Sequence, residues 1–405
     1  MSKDKKIYMR LSNEEAKILG LKLKFKNLTN TDGNPKYRIT FEEKDVILKL
    51  RNKGIAEACD NLGVSIDSPK FVWIKNKNYS IPAQNPFYKP KEQKELLDSI
   101  ESSMDKIISK YKDTVPIKEI KRVETKNNNI LKVIITDSHV GMDVNVKNGI
   151  FNYVYNAEVY KQSLEKVFIS IKKEFYTYGT FDSIIIEDLG DCADGWNGYT
   201  TRGDHQLQQN MTNDEVFDVC VDSKVKLLKN LVESSMSKNV VLRSVSNDNH
   251  SGDFGLIINK AIQKIINVLY NSNVVKVDIL TKFLEHRTYG NHCFIFTHGK
   301  DKTYMFKGLP FIMTDRVINF INDYIDHYAI DSKYIHVEKG DLHRIGYQRT
   351  KKFDYRNFMS FAPPSAWIQH NFGDHCSGYS VQVVPKYCNE ISQTDYFLDY
   401  RKVLK

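Results

Sequence analysis

The sequence predicts a layered α/β fold, and three observations carry the prediction. Short β-branched runs at 131–136, 183–189, 240–246, 292–297 and 333–338 alternate with long amphipathic segments at 157–175, 213–235, 254–271 and 310–328. Each of these five runs is followed within three residues by Asp or His, the place where open α/β sheets carry their chemistry. The chain has 405 residues and is 41% hydrophobic, enough for two or three domains with a sizeable core.

Taken in order, residues 1–90 form a basic domain. Within it, Ile55–Ser65 reads as the first helix and turn of a helix-turn-helix: Ala58 allows close helix approach, Gly63 makes the turn and Val64 plugs the core. Ser68 and Pro69 then supply an N-cap and a first-turn proline for a second helix, KFVWIKNK, which carries Lys70, Lys75 and Lys77. Residues 91–129 are a helical connector and linker: positions 96, 97, 100, 104, 107 and 108 are apolar at helical spacing, and the stretch closes on Lys126 and three asparagines. Residues 130–405 are the α/β domain.

Charge separates the same parts. Residues 1–130 hold 27 Lys and Arg against 18 Asp and Glu, whereas 131–405 hold 32 of each, so the whole formal excess of +9 lies in the N-terminal third. A basic domain of this kind suits a polyanion, and nucleic acid is the expected partner. The first residues lack an apolar run, so no signal peptide is expected, and no segment has the apolar length of a membrane span. Six cysteines without a C-x-x-C pair or regular spacing fit a reduced, cytoplasmic chain. Phosphate-binding loops of the G-x-x-x-x-G-K-S/T type, G-x-S-x-G elbows and dinucleotide fingerprints are absent from the sequence.

The chemistry is written at the strand ends. Asp137-Ser138-His139 follows ILKVIIT, Gly190-Asp191-Cys192-Ala193-Asp194 closes SIIIEDL, Asp248-Asn249-His250 follows VVLRSVS, His298 follows CFIFT, and Asp341-Leu342-His343 follows YIHVEKG. Each motif alone is an ordinary loop end. Together they bring carboxylates, imidazoles and an amide towards one edge, a donor mixture that suits Mn²⁺, Fe or Zn²⁺. A two-metal phosphoesterase needs a bridging carboxylate, for which Asp191 is the candidate, and terminal ligands on each metal. It also needs a proton donor for the leaving group while hydroxide attacks phosphorus in line.

The order of these motifs resembles the calcineurin-like metallophosphoesterase superfamily: D-x-H, G-D-x-x-D, G-N-H-D/E, a lone His, then G-H-x-H. The resemblance spans about residues 130–345. It implies an α/β-β-α sandwich and two divalent ions, with Mn most fitting and Mg, Fe or Zn as others. It also implies that Asp137, His139, Asp191 and His343 hold one ion. Asp191, Asn249 and His298 hold the other, joined by Asp341, with His250 as proton donor and Asp194 orienting it. The loop GDCADGWNGYTTRGDHQLQQNMTN further resembles metallophosphatases of tailed phages, which are often grouped with DNA-repair exonucleases of the superfamily; that would place the chain in a host cytoplasm. Two motifs depart from the pattern. Asp248 and Ser251 replace the turn glycine and the trailing acid, where Asp is expected to take the left-handed turn. Asp341 replaces the first His of the last motif, which favours harder ions.

Around the centre, Arg202 and His205 lie on the loop after Asp191 and are candidates for substrate binding, with a loop salt bridge from Arg202 to Asp204 or Asp214 as the alternative. Trp196 and Tyr199 read either as stacking residues or as loop packing. Arg349, Lys351 and Lys352 read either as a track for a phosphate backbone or, the favoured reading, as a solvated edge. Histidines 205, 286, 292, 327, 336, 370 and 375 are expected to be non-ligands, His336 being the one nearest a motif. The leading expectation is a metal-dependent phosphodiesterase or nuclease acting on nucleic acid. The alternatives are a phosphomonoesterase and a phage-associated binding protein that keeps the fold without strong activity.

Overall fold

The structure, a computed structural model, describes residues 6–11, 13–21, 36–40, 46–47, 71–75, 80–84, 91–112, 128–144, 149–270, 273–303 and 308–401. The chain forms two compact units, Met1–Asp98 and Ser99–Lys405.

In the first unit β1 (Lys6–Arg10) pairs antiparallel with β2 (Lys36–Thr40), and α1 (Asn13–Ile18) lies between them in sequence. Leu11, Ala16, Ile39 and Ile47 make its small core. β3 (Phe71–Lys75) pairs antiparallel with β4 (Ser80–Gln84). The segment expected as the second helix of a helix-turn-helix is therefore a strand in its central part. Phe, Val, Trp and Ile in succession favour the pleated backbone over a helix. The first expected helix, Ile55–Ser65, falls outside the described residues. α2 (Lys91–Lys112) follows, as the connector periodicity predicts, and spans the division between the units.

The second unit is built on two sheets. The six-stranded sheet runs β15 (Ser392–Leu398), β14 (Ser377–Pro385), β5 (Asn129–Ile135), β6 (Phe181–Asp188), β7 (Ser237–Val245), β8 (Val275–Leu280). Strands β5 to β8 are parallel, and β14 and β15 close one side antiparallel. The five-stranded sheet runs β12 (Gly346–Arg349), β13 (Asp354–Asn357), β11 (Tyr334–Lys339), β10 (His292–Thr297), β9 (Glu285–Tyr289), with β10 and β11 parallel. The helices α3 (Ala157–Tyr178), α4 (Asn213–Glu233), α5 (Gly252–Leu269), α6 (Asp315–His327) and α7 (Ala366–Phe372) complete the unit. Among the described residues no helix is long and apolar enough to cross a membrane.

Alternation along β10 shows how the layers stack. Phe294 and Phe296 turn to Ile130, Ile134, Ile185 and Val245 of the other sheet, while Cys293 and Ile295 turn to Ile321 and Ile325 of α6. On the far side, α4 packs on β7 and α5 on β8. The result is the helix, sheet, sheet, helix sandwich that the sequence predicts. One polar cluster lies inside it. Lys132 Nζ meets Glu338 Oε2 at 2.6 Å and Glu187 Oε2 at 3.1 Å, and Arg243 Nη1 meets Glu187 Oε1 at 2.9 Å. Lys132 also lies over the Phe294 ring at 3.4 Å. Each buried charge thus has a partner, as burial requires.

Candidate metal centre

The first two motifs continue the β5–β6 pairing beyond the strands. Asp137 N–H donates to Gly190 O at 3.0 Å, His139 N–H to Asp191 O at 2.9 Å, and Val140 N–H to Cys192 O at 3.1 Å. This ladder sets the two loops side by side. From the other sheet, Gly340 N–H donates to His298 O at 3.1 Å, joining the last two motifs. Phe361 and Ala362 donate to the carbonyls of Thr136 and Asp137 at 2.8 and 3.1 Å, which fixes the segment leading to α7 beside the first motif. The centre is held in unusual backbone: Asp137, His139, Asp191, Asp341 and His343 all have positive φ, between 41° and 70°. Such strain in non-glycine residues persists only where surrounding bonds enforce it, and it gathers at functional sites.

The side chains converge in three groups, Asp137–His139–His343, His139–Asp194–His250 and Asp137–Asp191–His298, whose ligand atoms within each group lie within 4.8 Å of one another. His139 Nε2 and His343 Nε2 face each other at 3.4 Å, and Asp137 Oδ1 is 3.3 Å from His343 Nε2. That spacing matches donors sharing one ion, about 3.4 Å for bonds of about 2.1 Å. His298 Nε2 is 3.0 Å from Asp191 Oδ2, which is itself 3.9 Å from His139 Nε2. Asp191 Oδ2 therefore stands between His298 and His139.

Tautomers follow from the outer contacts. His298 Nδ1 donates to Leu189 O at 2.9 Å, and His139 Nδ1 faces Asp194 Oδ1 at 3.0 Å, so each Nε2 points its lone pair inward. Asp137 uses Oδ2 to accept from Thr136 Oγ1 at 2.7 Å and from Asp341 N–H at 3.2 Å, leaving Oδ1 for the centre. Asp137 Oδ1, Asn249 Oδ1 and His298 Nε2 are all buried without a hydrogen bond. Buried polar atoms are ordinarily satisfied, so Asp137 Oδ1 and His298 Nε2, 4.0 Å apart and within one donor group, fit a cation. The donor set of carboxylate, imidazole and amide fits a divalent ion.

Asp194 serves two imidazoles, His139 at 3.0 Å and His250 Nδ1 at 3.5 Å. Burial pushes His250 down, but Asp191 and Asp194 outweigh it and hold it up at about 9. With its side chain 24% exposed, His250 can reach a ligand.

The structure brings Asp137, His139, Asp191, His298 and His343 together with Asp194 and His250. Asn249 belongs to none of these groups; its Oδ1 is buried without a hydrogen bond. Asp341 belongs to none of the three groups: its backbone supports Asp137, while its Oδ2 lies beside Gly308. Asp248 does not adopt the expected left-handed turn; Gly252, with φ 44°, does. Asp248 instead folds back, accepting from Ser251 N–H at 2.7 Å, Ser251 Oγ at 2.8 Å and Gly252 N–H at 3.0 Å. Asp248 and Ser251 thus bond to each other where α5 begins.

Arg202 pairs with Asp301, Nη1 to Oδ1 at 3.0 Å, rather than with Asp204 or Asp214. Its loop lies on the Asn249–His250 turn, with Thr201 N–H and Arg202 N–H donating to the carbonyls of His250 and Asn249. His205 is exposed and folds over Gly203. Trp196 packs edge-on against Phe254 at 4.4 Å. Lys352 pairs with Asp326 at 2.8 Å. His336 sits in a buried chain away from the centre, between His292 at 3.0 Å and Asp354 at 2.8 Å. His375 was not expected at the site, yet its ring lies 5.6 Å from that of His343. No strand-end signal marks it, because it arrives on the loop after α7.

No protein-family model matches the chain, and no curated protein does. Solved structures similar to it include an archaeal phosphodiesterase, at 9% identity and TM-score 0.30, covering 66% of this chain and 99% of that one. A zinc complex of Vps29 from Entamoeba histolytica, at 9% and 0.26, covers 66% and 98%. A predicted phosphoesterase from Streptococcus pneumoniae, at 12% and 0.22, covers 66% and 98%. Scores this low give the likeness no functional weight.

Proposed function

We propose that the chain is a divalent-metal-dependent phosphodiesterase acting on nucleic acid. The convergence of His139 Nε2, His343 Nε2 and the unsatisfied Asp137 Oδ1 carries this reading. Asp137, His139, Asp191 and His343 would hold one ion, and Asp191, Asn249 and His298 the second. When bound, the ions supply Lewis acidity for the phosphate and activation of water. The remaining work falls to the protein. Asp194 orients His139 and His250, and His250 gives its proton to the departing oxygen. Asp341 N–H and Thr136 Oγ1 hold Asp137 with one oxygen inward. In this reading Arg202 and His205, on the loop above the turn, meet the substrate at the rim.

The basic N-terminal residues favour a polymeric anion over a small phosphate. Residues 1–90 hold 18 Lys and Arg against 10 Asp and Glu. The test is Mn²⁺-dependent hydrolysis of nitrophenyl diesters and monoesters, then of labelled single- and double-stranded DNA and RNA. Diesters and at least one polymer are expected to be cut. A chain lacking residues 1–90 is expected to keep the small-diester activity and to bind the polymer more weakly, with a flatter salt dependence. Cleavage of monoesters alone would replace this reading with a phosphomonoesterase.

A further inference from the structure

Beside the first ion-binding group lies a surface that the proposed chemistry does not use. Trp367 and Phe372, on α7, are 64% and 52% exposed, and their rings meet edge-on at 5.6 Å. Large aromatics in solvent at a site's edge call for an occupant. The guanidinium of Arg344, the residue after His343, lies 5.1 Å from the centre of the Phe372 ring. His375 then joins this loop to His343 through their ring contact.

The surface is built rather than loose. Gln369, on the buried side of α7, accepts from Ile150 and Phe151 N–H at 2.8 and 2.9 Å and donates to Pro364 O at 3.0 Å. Asp374 accepts from Tyr153 Oη. Residues 360–362 bond to Thr136 and Asp137, so the helix follows directly from backbone that touches the centre.

We propose that Trp367, Phe372 and Arg344 form a subsite for the nucleobase and flanking phosphate of the nucleotide next to the scissile bond. The inference rests on the phosphodiesterase reading and deepens it. Flat exposed rings present faces and edges to a base of any sequence, and a cation stacked on one of them adds charge for the adjoining phosphate. A purely aliphatic or uncharged ligand would make no use of Arg344.

Two measurements test this. The first compares kcat/KM for the nitrophenyl ester of thymidine 5′-phosphate with that for methyl nitrophenyl phosphate, which has no base. In Trp367→Ala and Phe372→Ala the ratio of the two is expected to fall, by about 5- to 150-fold. An unchanged ratio in both variants overturns the proposal, while hydrolysis of neither ester by the wild type overturns the phosphodiesterase reading instead. The second needs no turnover: tryptophan fluorescence titrated with thymidylyl-thymidine. Quenching in the wild type that is lost in Trp367→Ala supports the subsite. Absence of quenching in the wild type, or equal quenching in the variant, overturns it. Both side chains are largely exposed, so their removal leaves no core cavity.

Discussion

Asp191 is where the two donor groups meet, with Oδ2 3.0 Å from His298 and 3.9 Å from His139, while its Oδ1 accepts the His250 N–H at 3.1 Å. The chain order of Asp137, His139, Asp191, His298 and His343 made their convergence legible, because each follows a strand. What remained hidden were side chains whose role depends on a partner distant in sequence. The bond from Asp341 N–H to Asp137 Oδ2 is one such contact, which no sequence pattern marks. The bonding of Asp248 to Ser251 and the place of His375 were equally hidden. His250→Ala is expected to slow hydrolysis of esters with poor leaving groups by about 10²- to 10⁴-fold and to affect nitrophenyl esters far less. Equal losses on both, measured as kcat, would make His250 a structural residue.

At the scale of elements, the strands β5, β6, β7, β10 and β11 and the helices α3 to α6 were legible because each alternates or repeats over a long stretch. The antiparallel strands β14 and β15 and the short β12 and β13 were not, since their pairing depends on β5 and β11, far away in sequence. Phe71–Lys75 was misread because a proline and a turn-like approach suggest a helix start, while its own residues prefer a strand. The loops that join motifs leave no room. A Cβ on Gly340 would lie 2.0 Å from Thr136 Oγ1 and 3.0 Å from Asp137 Oδ2. Gly340→Ala is therefore expected to displace Asp137 and weaken Mn²⁺ binding at least about tenfold, with a stability loss of about 1–3 kcal/mol. Calorimetric titration with Mn²⁺ checks this; wild-type affinity would show that the loop can shift without moving the carboxylate.

Across the whole molecule, the two sheets meet over both hydrocarbon and buried charge. Burial lifts the Glu187 carboxyl to about 7, against the pull of Lys132. An acid whose folded pKa lies above its unfolded value binds its proton more tightly when folded. Its contribution to stability is complete below about pH 4.5 and is lost as pH rises through about 7. Glu187→Gln keeps a neutral side chain throughout. The wild type is thus expected to lose melting temperature relative to the variant between pH 5 and pH 8, by on the order of 5 °C. A gap that stays constant with pH would place Glu187 ionised in both states.

Metal stoichiometry tests the central claim most directly, because every step of the proposed chemistry depends on Asp191 joining two ion sites. Purified wild-type chain, stripped of metal and titrated with Mn²⁺ under calorimetry, is expected to bind two ions per chain and gain diesterase activity. Asp191→Asn is expected to weaken both binding events and lose turnover, since an amide cannot supply the bridging charge. A wild-type chain that binds no Mn²⁺, or an Asp191→Asn chain that binds two ions and turns over normally, would contradict the account.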